Sequence, residues 1–218
     1  MAVKVGLKVI EIWNDSMEKA VCKYEEETVE KGQIVFYGPS NFTRWKTEKW
    51  GMRPLREDIK GASGAPCCVN RGFGSSCAEH QLYYYDRMIR PLAPRVLVYS
   101  SYGNSEAFGY SAEETWELAQ RVVAYAMTDF PDIKIYLVGV NPSAKKLDTC
   151  QIGNRARYNS WLKSFAENTP NCYFIDPMSY EPLLADDIYV PDGHFNQKGY
   201  DLYGDFFREA LKDELAKY

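Results

Sequence analysis

Five short apolar runs punctuate the chain, at 33–37 (QIVFY), 66–70 (PCCVN), 95–99 (RVLVY), 133–139 (IKIYLVG) and 171–175 (NCYFI). Each contains β-branched or aromatic residues and is bounded by Gly, Pro, Asn or polar turn residues. That is the pattern of strands buried on both faces. Between them lie longer segments whose apolar residues recur three or four apart, as on one face of a helix. Asp15 and Glu18 have capping-box spacing and open a helix to about Lys31, with Gly32 as its C-cap. A second helix is predicted over 77–90 and is ended by Pro91. The third starts after Ser111 and covers 112–129, with Ala112, Leu118, Val122, Val123 and Met127 on one face. Two more are predicted over about 152–168 and 197–217. Residues 3–13 alternate imperfectly, as an edge strand or an extended arm, and 177–191 look irregular. Strands alternating with helices predict an α/β protein, a parallel five-stranded sheet with helices on both faces. With 218 residues and no repeat, low-complexity tract or linker, the chain fits one domain, with 1–32 packed on it as an arm and helix.

Composition narrows the function classes. The net charge is −4, without a long basic run, which argues against a nucleic-acid groove or an anionic membrane surface. No apolar stretch is long enough to span a bilayer. The N-terminal MAVKVGLKVIEIWND has too little uninterrupted apolar length for a secretory signal, so a soluble, cytoplasmic protein is expected unless a leader has been removed. Nothing in the sequence sets the oligomeric state. The six cysteines show no disulfide-framework spacing and are expected as thiols in a reducing compartment. Cys77 and His80 form a C-x-x-H pair downstream of Cys67-Cys68, but the paired C-x-x-C of a zinc site is absent, so no metal is expected. His80 falls inside a predicted helix, facing solvent or a neighbour.

The candidate chemistry gathers at Ser40. The run 34–37 is broken by Gly38-Pro39, and Ser40 follows at once, with Asn41 to Trp45 able to enter a helix. Open α/β sheets place their ligands at such strand ends. Ser40 is therefore either a helix cap or a nucleophile. A serine nucleophile needs a base, and the chain has only two histidines. His194 sits in the loop Pro191-Asp192-Gly193-His194-Phe195-Asn196, before the last helix. The turns at 72–76 and 100–105 leave strand ends on the same side of the sheet as Ser40, with backbone N–H groups and the Asn104 amide as donors. The G-x-G of Gly72 and Gly74 lacks the third glycine of a dinucleotide fingerprint, since Cys77 stands there. The segment 43–56, with Trp45, Trp50 and Met52, is either packing above the sheet edge or a wall over Ser40.

Four motifs in order resemble the SGNH hydrolases, the GDSL-type esterase and lipase family. Gly38-Pro39-Ser40 matches the G-D-S block with Ser40 at the nucleophile. The run Asn70-Arg71-Gly72-Phe73-Gly74-Ser75-Ser76 is similar to N-R-G-F-G-G-S. Asn104 matches the Asn of G-x-N-D. His194-Phe195-Asn196-Gln197-Lys198-Gly199-Tyr200 matches H-F-N-x-x-G-Y. The resemblance implies a flavodoxin-like three-layer αβα sandwich and ester hydrolysis without a metal or organic cofactor. Ser40 would be the nucleophile and His194 the base. The Ser40 and Ser75 N–H groups and the Asn104 amide would form the oxyanion hole. The expected substrate is a small ester, such as a short acyl (acetyl) ester of a carbohydrate. The alternatives are a lysophospholipase or thioesterase of the same type, or a degenerate domain that binds an acyl or sugar ligand. The chain departs from the pattern in five places. Pro39 replaces Asp, Ser75 replaces Gly, Tyr102 or Ser101 stands near the third block's usual Gly, Ser105 stands at the usual Asp, and Asp192 is two residues before His194 where D-x-x-H needs three. The acid is therefore Asp192 through an altered loop, or Asp186 or Asp187, or the site is a Ser–His dyad.

Overall fold

A computed structural model of the chain describes residues 14–218, and the arm or edge strand expected over 3–13 lies outside them. Five strands form one sheet: β1 (Ile34–Gly38), β2 (Cys68–Gly72), β3 (Val96–Tyr99), β4 (Lys134–Val138) and β5 (Cys172–Ile175). Their order is β2-β1-β3-β4-β5 and every neighbouring pair is parallel. Successive side chains point to opposite faces. Thus Val35 and Tyr37 of β1 enter one apolar cluster while Ile34 and Phe36 enter the other.

Helices cover both faces, as the alternation predicts. On the Val35 side lie α1 (Asn14–Glu25), α4 (Ala78–Met88), α5 (Ala112–Asp129) and α6 (Thr149–Asn168), which contribute Val21, Tyr85, Val122 and Leu162. On the Phe36 side lie the short α2 (Ser40–Thr43) and α3 (Leu55–Asp58), with α7 (Gln197–Ala210) and α8 (Lys212–Leu215). An aromatic cluster fills this second layer. The Phe42 ring stands edge-on to Phe36 at 5.4 Å, and Trp45 stacks on Tyr203 at 5.5 Å. Side chains buried to this degree each contribute roughly 1.5–3 kcal/mol. Four residues are too few to hold a helix by themselves. It is this packing, with Trp45 Nε1–H donating to Asp58 Oδ2 at 2.6 Å, that fixes α2. Among the described residues no helix is long and apolar enough to cross a membrane.

Several boundaries differ from the expected ones. β2 starts two residues later than its apolar run, because its ladder with β1 continues through Asn70, Arg71 and Gly72, which pair with Phe36, Tyr37 and Gly38. α1 ends at Glu25, not near Lys31. Glu25, Glu26 and Glu27 oppose the negative end of the helix dipole, and Glu27 turns instead to Arg71. Gly32 consequently serves a turn before β1 and not a helix end. α6 starts early, at Thr149, because Asp148 and Gln151 form a capping box that the apolar spacing does not show. The last helix is interrupted at the buried Leu211. The segment 177–191 contains three short 3₁₀ turns.

Candidate active site

The sheet order sets the location. From β1 the chain moves outward to β2, then crosses back to β3 on the other side of β1, so the strand order reverses between β1 and β3. The loops leaving such a pair diverge and open a crevice at the carboxyl ends of the strands. Ser40 follows β1, Ser100 to Asn104 follow β3, and Val140 to Lys145 follow β4. These segments, with Asp192 and Gly193, line a cleft of about 240 Å³.

Three of the expected residues form a continuous hydrogen-bonded chain. Ser40 Oγ lies 2.9 Å from His194 Nε2, and His194 Nδ1 lies 2.9 Å from Asp192 Oδ1. With the Nδ1 proton held by the carboxylate, Nε2 is left as an acceptor for the serine hydroxyl. The shortened D-x-H spacing works because of the loop around it. Gly193 takes φ +87°, and its N–H donates to the Val190 carbonyl at 2.8 Å. An L-residue with a side chain would be strained there. The turn folds Asp192 back so that Oδ1 also accepts the His194 backbone N–H at 3.2 Å. The loop is anchored by the buried Phe195 and by Asn196, whose Oδ1 caps α7 through the Gly199 N–H at 3.0 Å. Tyr200 on α7 donates its hydroxyl to the Asn41 carbonyl at 2.9 Å, tying the histidine's helix to the serine's. The two other acids do not take part. Asp187 pairs with Lys198 at 2.5 Å, and neither Asp186 nor Asp187 is bonded to His194.

Arg44 was not singled out by the sequence motifs. It stands one turn after Ser40, its N–H donating to the Ser40 carbonyl at 2.9 Å. Its Nη1 meets the second oxygen of Asp192 at 2.8 Å, and its guanidinium lies 4.1 Å from the Trp50 ring centre. One helical turn thus presents both Ser40 and a clamp for Asp192. Burial pushes the Asp192 carboxyl up, but bonds from His194 and Arg44 outweigh it and bring it to about 2. His194 titrates below its ordinary 6.5: burial dominates, the Asp192 bond pulls upward, and the charges of Arg44 and Lys145 push down again.

Three groups are candidate donors for an oxyanion. The Ser40 N–H opens α2 and has no acceptor among the described residues. Asn104 is half-buried, lines the cleft and spends one amide proton on the Ser76 carbonyl at 2.9 Å, which leaves the other. Ser75 lies on the turn after β2 with φ +62°, the left-handed conformation that suits Gly better than Ser. It is held beside the Asn104 loop by that same Ser76 bond, but it is not among the residues lining the cleft. Gln81 bridges the two loops, donating to Ser76 Oγ at 3.4 Å and the Ser100 carbonyl at 3.2 Å. Pro39, where Asp was expected, packs its ring over Gly103, where a Cβ would come within 2.6 Å of Pro39 Cγ. The odd proline and the displaced glycine are therefore two halves of one contact.

The remaining candidates fall outside the cleft. Trp45 is core, Met52 packs against the same cluster, and Trp50 reaches the site only through Arg44. The C-x-x-H pair closes on itself: the buried His80 receives the Cys77 N–H on Nδ1 at 3.3 Å and so caps α4. Cys77 Sγ lies 3.1 Å from the same nitrogen, and burial raises that thiol to about 11.

No protein-family model and no curated protein matches the sequence. Solved structures do. A candidate acylhydrolase from Bacteroides fragilis superposes with a TM-score of 0.69 at 19% identity, over 97% of this chain and 100% of that one. A GDSL-like lipase from Bacteroides thetaiotaomicron gives 0.65 at 16%, over 93% and 98%. The acetyl xylan esterase AlAXEase gives 0.66 at 18%, over 82% and 99%. The likeness runs over most of each chain, and the protein therefore has the fold shared by the GDSL-like lipases and these acylhydrolases and esterases.

Proposed function

We propose that this protein is an SGNH-type serine hydrolase that cleaves carboxylic esters through an acyl-enzyme on Ser40. The observation that supports this best is the unbroken Ser40–His194–Asp192 chain, 2.9 Å at each link, at the mouth of the cleft. Ser40 Oγ attacks the ester carbonyl while His194 Nε2 takes its proton, and Asp192 stabilises the imidazolium that forms. The Ser40 N–H, the free Asn104 amide proton and the Ser75 N–H supply the donors for the oxyanion. His194 then returns the proton to the leaving alcohol and activates water for deacylation. A cleft of about 240 Å³ suits a short acyl group such as acetyl on a small alcohol better than a fatty chain. The likeness to an acetyl xylan esterase points the same way. A p-nitrophenyl ester series from acetyl to decanoyl tests the reading. Turnover should be greatest at acetyl and fall with length, whereas a rise towards decanoyl would indicate a lipase.

Asn104→Ala should lower kcat by about 10²–10³ with little change in KM, the usual loss for one oxyanion donor. A change confined to KM would mean that Asn104 binds the ground state only.

The acid and its clamp give a pH prediction. His194 must be neutral to act as base, so kcat/KM should fall on the acid side with a midpoint below 6.5. Removing a cation beside an imidazole favours its protonated form. Arg44→Ala should therefore move that midpoint to higher pH and lower kcat about tenfold by loosening Asp192. Asp192→Asn should lower kcat by about 10–10³, short of the ~10⁴ seen when a well-placed triad acid is lost. An unmoved midpoint in Arg44→Ala, measured by initial rates from acid to neutral pH, would reduce Arg44 to a packing role.

A further inference from the structure

We propose, on the basis of the ester-hydrolase reading, that the cleft takes an ester whose alcohol part carries a carboxylate or phosphate, held by Lys145 and Arg155. Both residues line the cleft beside Ser40 and Asn104. The one carboxylate among the described residues lining it is Asp192, whose two oxygens are already engaged by His194 and Arg44. No other acid of the lining faces Lys145 or Arg155, and among the described residues Arg155 has only the long 3.8 Å contact with Glu106 behind it, on a chain whose net charge is −4.

Arg155 is the anchor. It projects from the first two turns of α6, and only 23% of its side chain is exposed. Its Nε is buried without a hydrogen-bond partner, and its nearest carboxylate oxygen, on Glu106, is 3.8 Å from Nη2. A buried guanidinium N–H with no acceptor is costly to keep, and an anion meeting the cleft-lining part of the same guanidinium offsets that cost through its charge. Lys145 complements it from the loop after β4. It is exposed and forms no ion pair among the described residues. Its stem lies over the His194 loop, its Cε 4.0 Å from the place of a Cβ on Gly193. That is the flank where His194 hands its proton to the leaving alcohol, so the charge Lys145 meets belongs to the alcohol and not to the acyl group. Opposite charges brought together in a partly desolvated cleft attract far more strongly than in bulk water.

The test compares acetylated galacturonate, acetylated glycerol phosphate and acetylated methyl galactoside, a neutral control. Wild-type kcat/KM should be about ten- to a hundredfold higher for at least one anionic ester than for the neutral one. Which anion leads identifies the source of the charge. In Lys145→Gln and Arg155→Gln the anionic-to-neutral ratio should fall towards one, and Arg155→Lys should keep part of it. Raising the salt concentration should lower the ratio as well. Equal kcat/KM for all three esters, or a ratio unaltered by both glutamine variants, would overturn the proposal. A second arm separates this from the parent reading. Ser40→Ala protein, which needs no turnover, is titrated calorimetrically with galacturonate, glycerol phosphate and methyl galactoside. Selective anion binding lost in Arg155→Gln supports the anion site even if no ester is hydrolysed, and absence of that selectivity refutes it even if p-nitrophenyl acetate is cleaved.

Discussion

Ser40→Ala is expected to lower kcat for p-nitrophenyl acetate by about 10⁶-fold while the protein stays folded. The effect follows from the chemistry and from the surroundings. Without Oγ there is no acyl-enzyme, and what remains is binding plus the oxyanion donors, still roughly 10³–10⁴-fold better than water. The fold should not notice the change. The α2 turn is fixed by Phe42 and Trp45 in the aromatic cluster and by the Tyr200–Asn41 bond, and the Ser40 side chain contributes to none of these. Steady-state rates, with circular dichroism as the control, check both halves. A loss of only tenfold would mean that another group starts the reaction.

His194→Ala should cost about as much, and the double variant Ser40→Ala/His194→Ala little more than either alone. The reason is that the two side chains work as one unit across a single 2.9 Å contact. The serine hydroxyl is a poor nucleophile unless its proton has somewhere to go, and no second histidine is available to receive it. His80 is buried at the start of α4, with its Nδ1 committed to the Cys77 N–H. Effects that simply multiplied in the double variant would show that Ser40 and His194 act independently, against the mechanism proposed above.

Much of this arrangement is legible in the chain because it is local. The apolar run 34–37, broken by Gly38-Pro39, places Ser40 at a strand end whatever the rest of the molecule does. His194 is fixed in the same way by Phe195, which is buried, and Asn196, which caps the next helix. The alternation of five runs with helical segments carries the sheet and its two covered faces. What the chain does not disclose is contact between distant segments. Arg44 lies in a stretch of Trp and basic residues that reads equally as packing above the sheet edge or as a wall over Ser40, and its meeting with Asp192 depends on two loops converging over the sheet edge. Arg155 looks like one of several exposed helix cations until α6 is laid beside the Tyr102–Glu106 loop. The end of β2 is hidden for a related reason. Arg71 is charged and Gly72 has poor strand propensity, and it is the ladder with β1 that keeps them extended beyond the run 66–70. The D-x-H spacing also looks defective by sequence alone. The positive φ of Gly193 is what restores the Asp192–His194 bond.

Chemical labelling asks whether Ser40 is the activated nucleophile. The protein is treated with a fluorophosphonate at neutral pH, digested, and the adduct located by peptide mass spectrometry. One phosphonylated residue is expected, Ser40, with no labelling in His194→Ala, because the hydroxyl then has no base. Modification of a different serine, such as Ser100 or Ser143, or labelling of Ser40 that persists undiminished without His194, would contradict it.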